Sequence, residues 1–286
     1  MTKILETVSR FYSGSHFNLT DSMDSRLYDV LSTNIVKQEY PDLHRRLSRS
    51  KGIPIVEIGC GTGWLVASLM AHYRKEIIGI DYSHEALSEA NKLLKKVYES
   101  KRGYFTKRNF PMLIASDLRK LPTIVTEIDL VSLGVLHHTD DTFDSINSIL
   151  GWAPNCASLY IGLYHNPSRA FFLELFNEKT EDEKFKTFSS MFTQSRDEVH
   201  LKSWFRDQLL HVHESSHSLA DLSNFLKTKG FILKSTSLNK FSSSLEESIE
   251  SLDAKYADYA RRQLKSGHFI PGFFTALFLK EGGIEE

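Results

Sequence analysis

From about residue 53 onward, the apolar positions predict strands and helices in regular alternation. Ile53–Ile58 is an apolar run with one acidic residue, Glu57, and Trp64–Met70 after it has apolar residues at helical spacing. Short apolar runs bounded by turn residues are typical of buried strands, and a spacing of three to four residues is typical of a helix. The first unit is therefore predicted to be a strand, a glycine turn and a helix.

Six further apolar runs predict the rest of a sheet. They are Ile77–Asp81, Met112–Ala115, Ile128–Leu133, Ser158–Leu163, Phe231–Leu238 and Pro271–Leu279. Helical patterns separate most of them, and strands that alternate with helices favour a parallel sheet covered on both faces. We therefore expect an α/β fold with a seven-stranded, mostly parallel sheet.

Several segments exceed what such a sheet requires. Residues 1–50 are predicted to form an N-terminal helical cap before the core at 51–166. Residues 167–217 carry Phe residues at helical spacing and predict a helical insertion over the carboxyl edge of the sheet. The alternative is a helical extension that packs elsewhere or forms a dimer contact. Residues 218–286 are predicted to complete the core, with a helical insertion at 239–268.

Composition narrows the functional classes. The net charge of −1 creates no global field that would attract nucleic acid or a membrane surface. No apolar run reaches the length needed to span a bilayer, and the first residues lack the apolar core of a signal peptide. The two cysteines, Cys60 and Cys156, lie in apolar strand contexts and do not suggest a disulfide framework. These features predict a cytoplasmic protein with no membrane partner.

The glycine turn indicates a nucleotide-type ligand. Gly59, Gly61 and Gly63 occupy alternate positions after Glu57. Glycine allows backbone to approach a ligand closely, and the helix that follows presents free N–H groups at its N-terminus. The pattern resembles the first motif of the class I S-adenosylmethionine-dependent methyltransferases. The acid that ends each of the next two strand regions, Asp81 and Asp117, strengthens this resemblance.

The resemblance implies a Rossmann-like fold, S-adenosylmethionine as cofactor, and a role for each matching residue. Glu57 and the glycine turn would hold the methionine end, Asp81 the ribose, and Asp117 the adenine amine. Gly134, after the fourth strand, would offer its carbonyl near the cofactor's amino group. The helical insertion at 167–217 would be a lid whose aromatic residues face the reacting methyl group. The complete set of expected cofactor-binding residues is Tyr12, Glu57, Gly59, Cys60, Gly61, Gly63, Asp81, Tyr82, Ser116, Asp117, Leu118, Gly134 and Val135.

Histidines supply candidate acid–base groups, because their pKa suits proton transfer near neutrality. His138 and His165 follow the fourth and fifth strands and are the candidate catalytic residues. The segment 207–218 resembles a D-Q-x-x-H-P-x-E-x-x-H-T motif of some bacterial methyltransferases, with Val212 in place of the proline. The expected substrate-binding residues are Phe17, His137, Tyr164, His211 and His217.

Other roles for these histidines stay open at the level of sequence. Any one of them can cap a helix or bond to backbone. The H-x-H-x-x-x-H spacing of 211–217 is compatible with a metal site, but no cysteine or dedicated carboxylate pair supports one, and we expect no metal.

The expected function is methyl transfer to a small organic acceptor, at oxygen, nitrogen or a carboxylate, in a biosynthetic or natural-product pathway. One alternative is an RNA or tRNA methyltransferase, because seven basic residues and three aromatic ones lie between Lys92 and Arg108. However, the fourth strand ends in S-L-G-V-L-H-H and lacks the (D/N/S)-P-P-(Y/F) motif, so a nucleic acid partner is not expected. A second alternative is a non-catalytic S-adenosylmethionine-binding module. The sequence leaves the oligomeric state open.

Overall fold

The computed structural model describes residues 3–12, 22–101, 110–192, 198–242, 244 and 246–282. Phe17 and residues 102–108 of the basic run lie outside the described residues. Within the described residues the chain forms seven strands: β1 (Ile55–Ile58), β2 (Ile77–Asp81), β3 (Met112–Ala115), β4 (Ile128–Leu133), β5 (Cys156–Tyr164), β6 (Phe231–Thr236) and β7 (Phe273–Lys280).

The same residues form twelve α-helices. They are α1 (Lys3–Tyr12), α2 (Met23–Ser32), α3 (Ile35–Glu39), α4 (Pro41–Arg49), α5 (Trp64–His72), α6 (His84–Ser100), α7 (Thr142–Trp152), α8 (Ser168–Glu174), α9 (Glu181–Ser190), α10 (Glu198–Leu209), α11 (Leu219–Lys227) and α12 (Ile249–Lys265). In the described part of the chain, no helix combines the length and the apolar character needed to cross a membrane.

The strands form one sheet in the order β3-β2-β1-β4-β5-β7-β6. The pairs from β3 to β5 are parallel, and β7 runs antiparallel to both β5 and β6. This confirms the seven-stranded, mostly parallel sheet. The last strand begins two residues later than predicted, because Gly272 has a φ of +72° and a Cβ there would collide with the backbone of Arg169. The sixth ends two residues earlier, where the Thr236 hydroxyl caps a 3₁₀ turn.

Apolar clusters cover both faces of the sheet. One joins the strands to the apolar sides of α7, α11 and α12. The other joins them to α2–α6 on the opposite face. A parallel sheet buried on both sides explains why the strands read as continuous apolar runs rather than as alternating patterns. The Rossmann-like architecture is confirmed.

The helices α8, α9 and α10 have an apolar cluster of their own. It contains Phe172, Phe176, Phe188 and Phe205, together with Leu264 from α12. The Phe188 ring lies 5.7 Å from Phe205 and 5.5 Å from Phe269, measured between centroids. The expectation that these aromatic residues face the reacting group was therefore wrong. They pack against one another, and polar residues at the end of α10 reach the edge of the sheet instead.

A buried polar network lies at the amino end of the sheet. Asp129, in β4, accepts hydrogen bonds from Arg46 at 2.8 Å, Ser50 at 2.7 Å and Ser158 at 2.5 Å, and Lys75 lies 3.8 Å away. Both carboxylate oxygens therefore have partners. The network ties α4 to the start of two central strands.

Candidate cofactor and acceptor site

The turn after β1 shows why its glycines are needed. Gly59, Gly61 and Gly63 have φ values of +72°, +51° and +82°. A Cβ at Gly59 would collide with Val135, and one at Gly63 would lie 2.7 Å from Ala90. A Cβ at Gly61 would meet no atom of the described residues within 4 Å. The first and third glycines allow close packing, and the middle one faces space that a ligand can use.

Asp81 holds this turn from the end of β2. Its Oδ2 accepts from the Gly61 N–H at 2.7 Å, and its Oδ1 accepts from the Ser83 N–H at 2.8 Å. Tyr82, between them in sequence, is 37% exposed. Cys60 is buried against β2, and burial raises the pKa of its thiol. Of these residues, Asp81 is the one whose polar atoms lie at the ligand-facing turn.

Glu57 is a buried acid without a full set of partners. It is 3% exposed, and its Oε2 has no hydrogen-bond partner among the residues that the structure describes. Burial, and secondarily the nearby Asp81, raises the pKa of Glu57 to about 8. A buried carboxyl with an open oxygen beside a glycine turn fits a ligand that brings a positive charge, such as the ammonium of a methionine moiety.

The expected adenine contacts lie at the end of β3. Asp117 is engaged by Arg119, whose Nε and Nη2 both lie 3.0 Å from its carboxylate oxygens. Burial favours a higher pKa for Asp117, but the hydrogen bonds from Arg119 outweigh it and lower the pKa. Ser116 and Leu118 make contacts through their own hydroxyl and carbonyl groups. Sequence reasoning missed Arg119, although a basic residue two positions after the acid was its signal.

The turn after β4 touches the glycine turn. Gly134 has a φ of +74° and faces open space within the described structure, and Val135 packs on Gly59. A 3₁₀ turn, Leu136–His138, follows immediately. The histidines of this turn are therefore placed directly beside the candidate cofactor site, because β1 and β4 are neighbours in the sheet.

His137 is buried, and its ring nitrogens make no hydrogen bonds to the described residues. It is 1% exposed, and neither ring nitrogen has a hydrogen-bond partner in the described part of the chain. Its ring lies 4.1 Å from the Tyr164 ring and 4.2 Å from the His138 ring. Burial lowers the pKa of His137 well below its usual range, so the ring is neutral and carries one N–H and one lone pair.

His138 and His211 form a stacked pair, with ring centroids 3.6 Å apart and planes tilted by 27°. The backbone of His213 contacts both rings. Its carbonyl oxygen lies 2.8 Å from His138 Nδ1, and its N–H donates to His211 Nδ1 at 3.2 Å. Burial lowers the pKa of His138 well below its usual range and that of His211 to about 4. Both rings are therefore neutral.

These contacts determine where each proton lies. A carbonyl only accepts, so His138 carries its proton on Nδ1 and has a lone pair on Nε2. His211 accepts at Nδ1, so its proton is on Nε2. That nitrogen is buried and has no acceptor among the described residues. The pair thus combines one proton acceptor with one donor.

Arg169, at the start of α8, fixes the segment that carries His211. The guanidinium is 2% exposed and donates to both oxygens of Glu214, at 2.8 and 2.6 Å. It also donates to the Gln208 carbonyl at 2.7 Å and lies 3.8 Å above the Tyr164 ring. Sequence reasoning missed Arg169. Only its partners, Gln208 and Glu214, belong to the motif-like segment at 207–218.

The N-terminal helix reaches the same segment. The Tyr12 hydroxyl donates to Asp207 Oδ1 at 2.6 Å, and the rings of Phe11 and Tyr12 lie 4.9 and 5.5 Å from the His211 ring. Burial raises the pKa of Asp207 to about 6. Tyr12, expected to bind the cofactor, is therefore placed against the histidine pair.

His165 and His217 have other partners. His165 is fully buried between Ser168, 2.8 Å from Nδ1, and Asp253, 2.9 Å from Nε2. His217 Nε2 lies 2.9 Å from the Thr142 hydroxyl and 3.1 Å from the Ser215 hydroxyl. The structure does not bring either ring to the histidine pair. In the described part of the chain, no group of three or more His, Cys, Asp or Glu side chains is arranged to hold a metal.

Comparisons with known proteins agree with this fold. Residues 55–150 match the family model described as a methyltransferase domain. Magnesium protoporphyrin IX methyltransferase (ChlM) from Synechocystis PCC 6803 with bound SAH is 14% identical, with a TM-score of 0.51. The match covers 98% of this chain and 100% of that one.

A second solved structure is similar over the same extent. The plantazolicin methyltransferase BpumL, in complex with a triazolic desmethylPZN analog and SAH, is 16% identical with a TM-score of 0.51, and the match covers 98% of each chain. Both structures support the fold. No curated protein matches the chain in sequence at a significant level.

Proposed function

Because the chain carries a class I S-adenosylmethionine-dependent methyltransferase domain, we propose that it methylates a small organic acceptor held beside His138. The observation that supports this most is the burial of His137, His138 and Tyr164 beside the glycine turn. These side chains are 1%, 7% and 2% exposed. An acceptor that reaches such groups must be largely enclosed by protein, as small-molecule ligands are.

The cofactor would lie across the carboxyl ends of β1, β2 and β4. Glu57 and the glycine turn would receive its methionine end, Asp81 its ribose, and Asp117 with Tyr82 its adenine. When bound, S-adenosylmethionine supplies a methyl group on a sulfonium. The acceptor atom would form a bond to that carbon as the carbon–sulfur bond breaks, and the electron pair of that bond would stay on sulfur.

The residues of this chain would orient the acceptor and exclude water. Holding two reactants in line can supply on the order of 7–11 kcal/mol of a barrier. His138 Nε2 would take a proton if the acceptor carries one. Tyr164 and His137 would form one wall of the acceptor site, and Phe11 and Tyr12 another. His165 would act as a structural residue, because both its nitrogens are engaged by Ser168 and Asp253.

The described part of the basic run does not favour RNA as acceptor. Lys92 lies 2.6 Å from Glu89, and Lys96 pairs with Asp24. The neighbouring Glu89 and Asp24 carboxylates reduce the local positive charge that phosphate contacts require. The cytoplasmic location and the biosynthetic role stay predictions.

The test is to incubate the purified chain and S-adenosylmethionine labelled in its methyl group with a cell extract. The extract is then separated into small molecules, RNA and protein. We expect label in the small-molecule fraction. Label confined to RNA or protein, or label in no fraction, would contradict the proposal.

A further inference from the structure

The stacked imidazoles of His138 and His211 present opposite hydrogen-bonding groups to the same region. Each Nδ1 is bound to the backbone of His213, so each Nε2 points away from that residue. His138 Nε2 offers a lone pair, and His211 Nε2 offers an N–H. The centroid separation of 3.6 Å places these two groups close enough for one functional group to contact both.

Building on the proposed function, we propose that the methyl acceptor is a neutral hydroxyl group that donates to His138 Nε2 and accepts from His211 Nε2–H. A hydroxyl oxygen has one proton and two lone pairs. One lone pair takes the His211 hydrogen bond and the other stays free to attack. His211 is thus a specificity-determining residue of the site.

A hydroxyl acceptor also accounts for every bond, electron pair and proton in the methyl transfer. The oxygen forms a bond to the methyl carbon as the carbon–sulfur bond breaks, and the electrons of that bond leave with sulfur. The hydroxyl proton passes to His138 Nε2, and the resulting imidazolium releases it to water after the ether has left. The hydrogen bond from His211 stabilises the negative charge that develops on oxygen while the proton leaves.

Other acceptors fit the pair less well. A neutral amine has one lone pair, so a hydrogen bond from His211 would occupy the electrons that must attack. A carboxylate has no proton for His138, and its oxygens would face the lone pair of His138 Nε2. A thiol is a weak hydrogen-bond acceptor and would leave the His211 N–H buried without a good partner.

His213 is the positioning residue of this arrangement. Its own Nε2 lies 3.0 Å from the Thr139 carbonyl oxygen, which anchors the ring at the end of the 3₁₀ turn. One residue therefore sets the tautomers of both stacked rings.

The tautomers can be read directly by NMR. The full chain, labelled with ¹⁵N-histidine and bound to S-adenosylhomocysteine, should show His138 protonated at Nδ1 and His211 at Nε2 at neutral pH. The variants His138→Gln and His211→Gln assign the two signals. Finding both rings in the same tautomer, or the His211 proton on Nδ1, would overturn the proposal.

The product tests the acceptor class separately. With ¹³C-methyl S-adenosylmethionine, the labelled carbon of the small-molecule product should have the chemical shift of a methyl ether. An N-methyl, S-methyl or methyl ester product would overturn the hydroxyl assignment and leave a small organic acceptor intact. Label confined to RNA or protein, or in no fraction, would overturn both.

Variants of His138 and His211 test whether the two rings contribute to ether formation. We expect ether formation to fall at least tenfold in His211→Phe, which removes the N–H donor, and about a hundredfold or more in His138→Gln, with S-adenosylhomocysteine affinity within twofold of wild type. His268→Gln is the matched control, because His268 is exposed after α12 and should leave the rate unchanged. A wild-type rate in His211→Phe would contradict its role.

Discussion

The two ends of the sheet differ in whether their buried polar groups have hydrogen-bond partners. At the amino end, Asp129 has hydrogen bonds to both carboxylate oxygens, from Arg46, Ser158 and Ser50. At the carboxyl end, Glu57, His137 and His211 each keep a buried polar atom without a partner among the described residues. Buried polar groups in native proteins are nearly all paired, so open ones point to a ligand. The amino end holds the fold together, and we infer that the carboxyl end binds cofactor and acceptor.

The largest effect is expected at the amino end. Asp129→Ala would leave Arg46 and Lys75 without their buried carboxylate, and breaking such a pair costs about 3–5 kcal/mol. Chemical denaturation should show this loss relative to Asp258→Asn, a change at an exposed position of α12. If the variant does not fold, the milder Asp129→Asn should still lower the free energy of unfolding. A stability equal to wild type in both would contradict a structural role for this network.

At the carboxyl end, the effect should fall on activity instead. His138→Gln removes the proposed base, so we expect turnover to fall by about a hundredfold or more, the usual range for loss of a general base. Thermal unfolding should stay close to wild type. Retained turnover would make His138 structural, and lost S-adenosylhomocysteine binding would place it in the cofactor site.

Asp81→Ala should weaken S-adenosylmethionine binding by more than tenfold, because it removes the carboxylate that accepts from Gly61 and that we propose for the ribose. Isothermal titration calorimetry on the folded variant measures this, with Asp258→Asn as the control. An unchanged affinity would remove Asp81 from the cofactor site. A wild-type chain that binds NAD instead would contradict the cofactor.

The smallest effect is expected at His137, where a substitution should preserve or raise the free energy of unfolding. His137→Phe replaces two unpartnered buried nitrogens by a ring of similar size, which should keep the free energy of unfolding unchanged or raise it by about 1 kcal/mol. Activity should fall in the same variant, as expected where polar groups are retained for function at the expense of stability. A loss of more than about 2 kcal/mol would mean that His137 has a structural partner.

The sheet and the glycine turn were predicted well from the sequence. Apolar runs located all seven strands, because a sheet buried on both faces leaves a strong signal. The glycine turn and Asp81 were predictable for a similar reason, since backbone conformation at Gly61 restricts the residue type. Strand ends were predicted less precisely. The start of β7, for example, depends on the close approach of Gly272 to the backbone of Arg169 in α8, which is distant in sequence.

The acceptor site was harder to predict, because its contacts join residues far apart in sequence. Arg169, in α8, donates hydrogen bonds to Gln208 and Glu214, which lie about forty residues later in the chain, at and after the end of α10. The different partners of His138 and His165 follow from the positions of His213 and Asp253, which no local pattern specifies. The tautomers depend on single backbone groups and could not be predicted from residue types.

A crystal structure with S-adenosylhomocysteine bound tests the division between the two ends most directly. We predict the ribose hydroxyls on Asp81, the amino group within reach of Glu57 Oε2, and the sulfur facing the His138–His211 pair. The Asp129 network should remain unchanged. A ligand bound elsewhere, or a sulfur that points away from the histidine pair while Glu57 and His211 stay unpaired, would contradict the account.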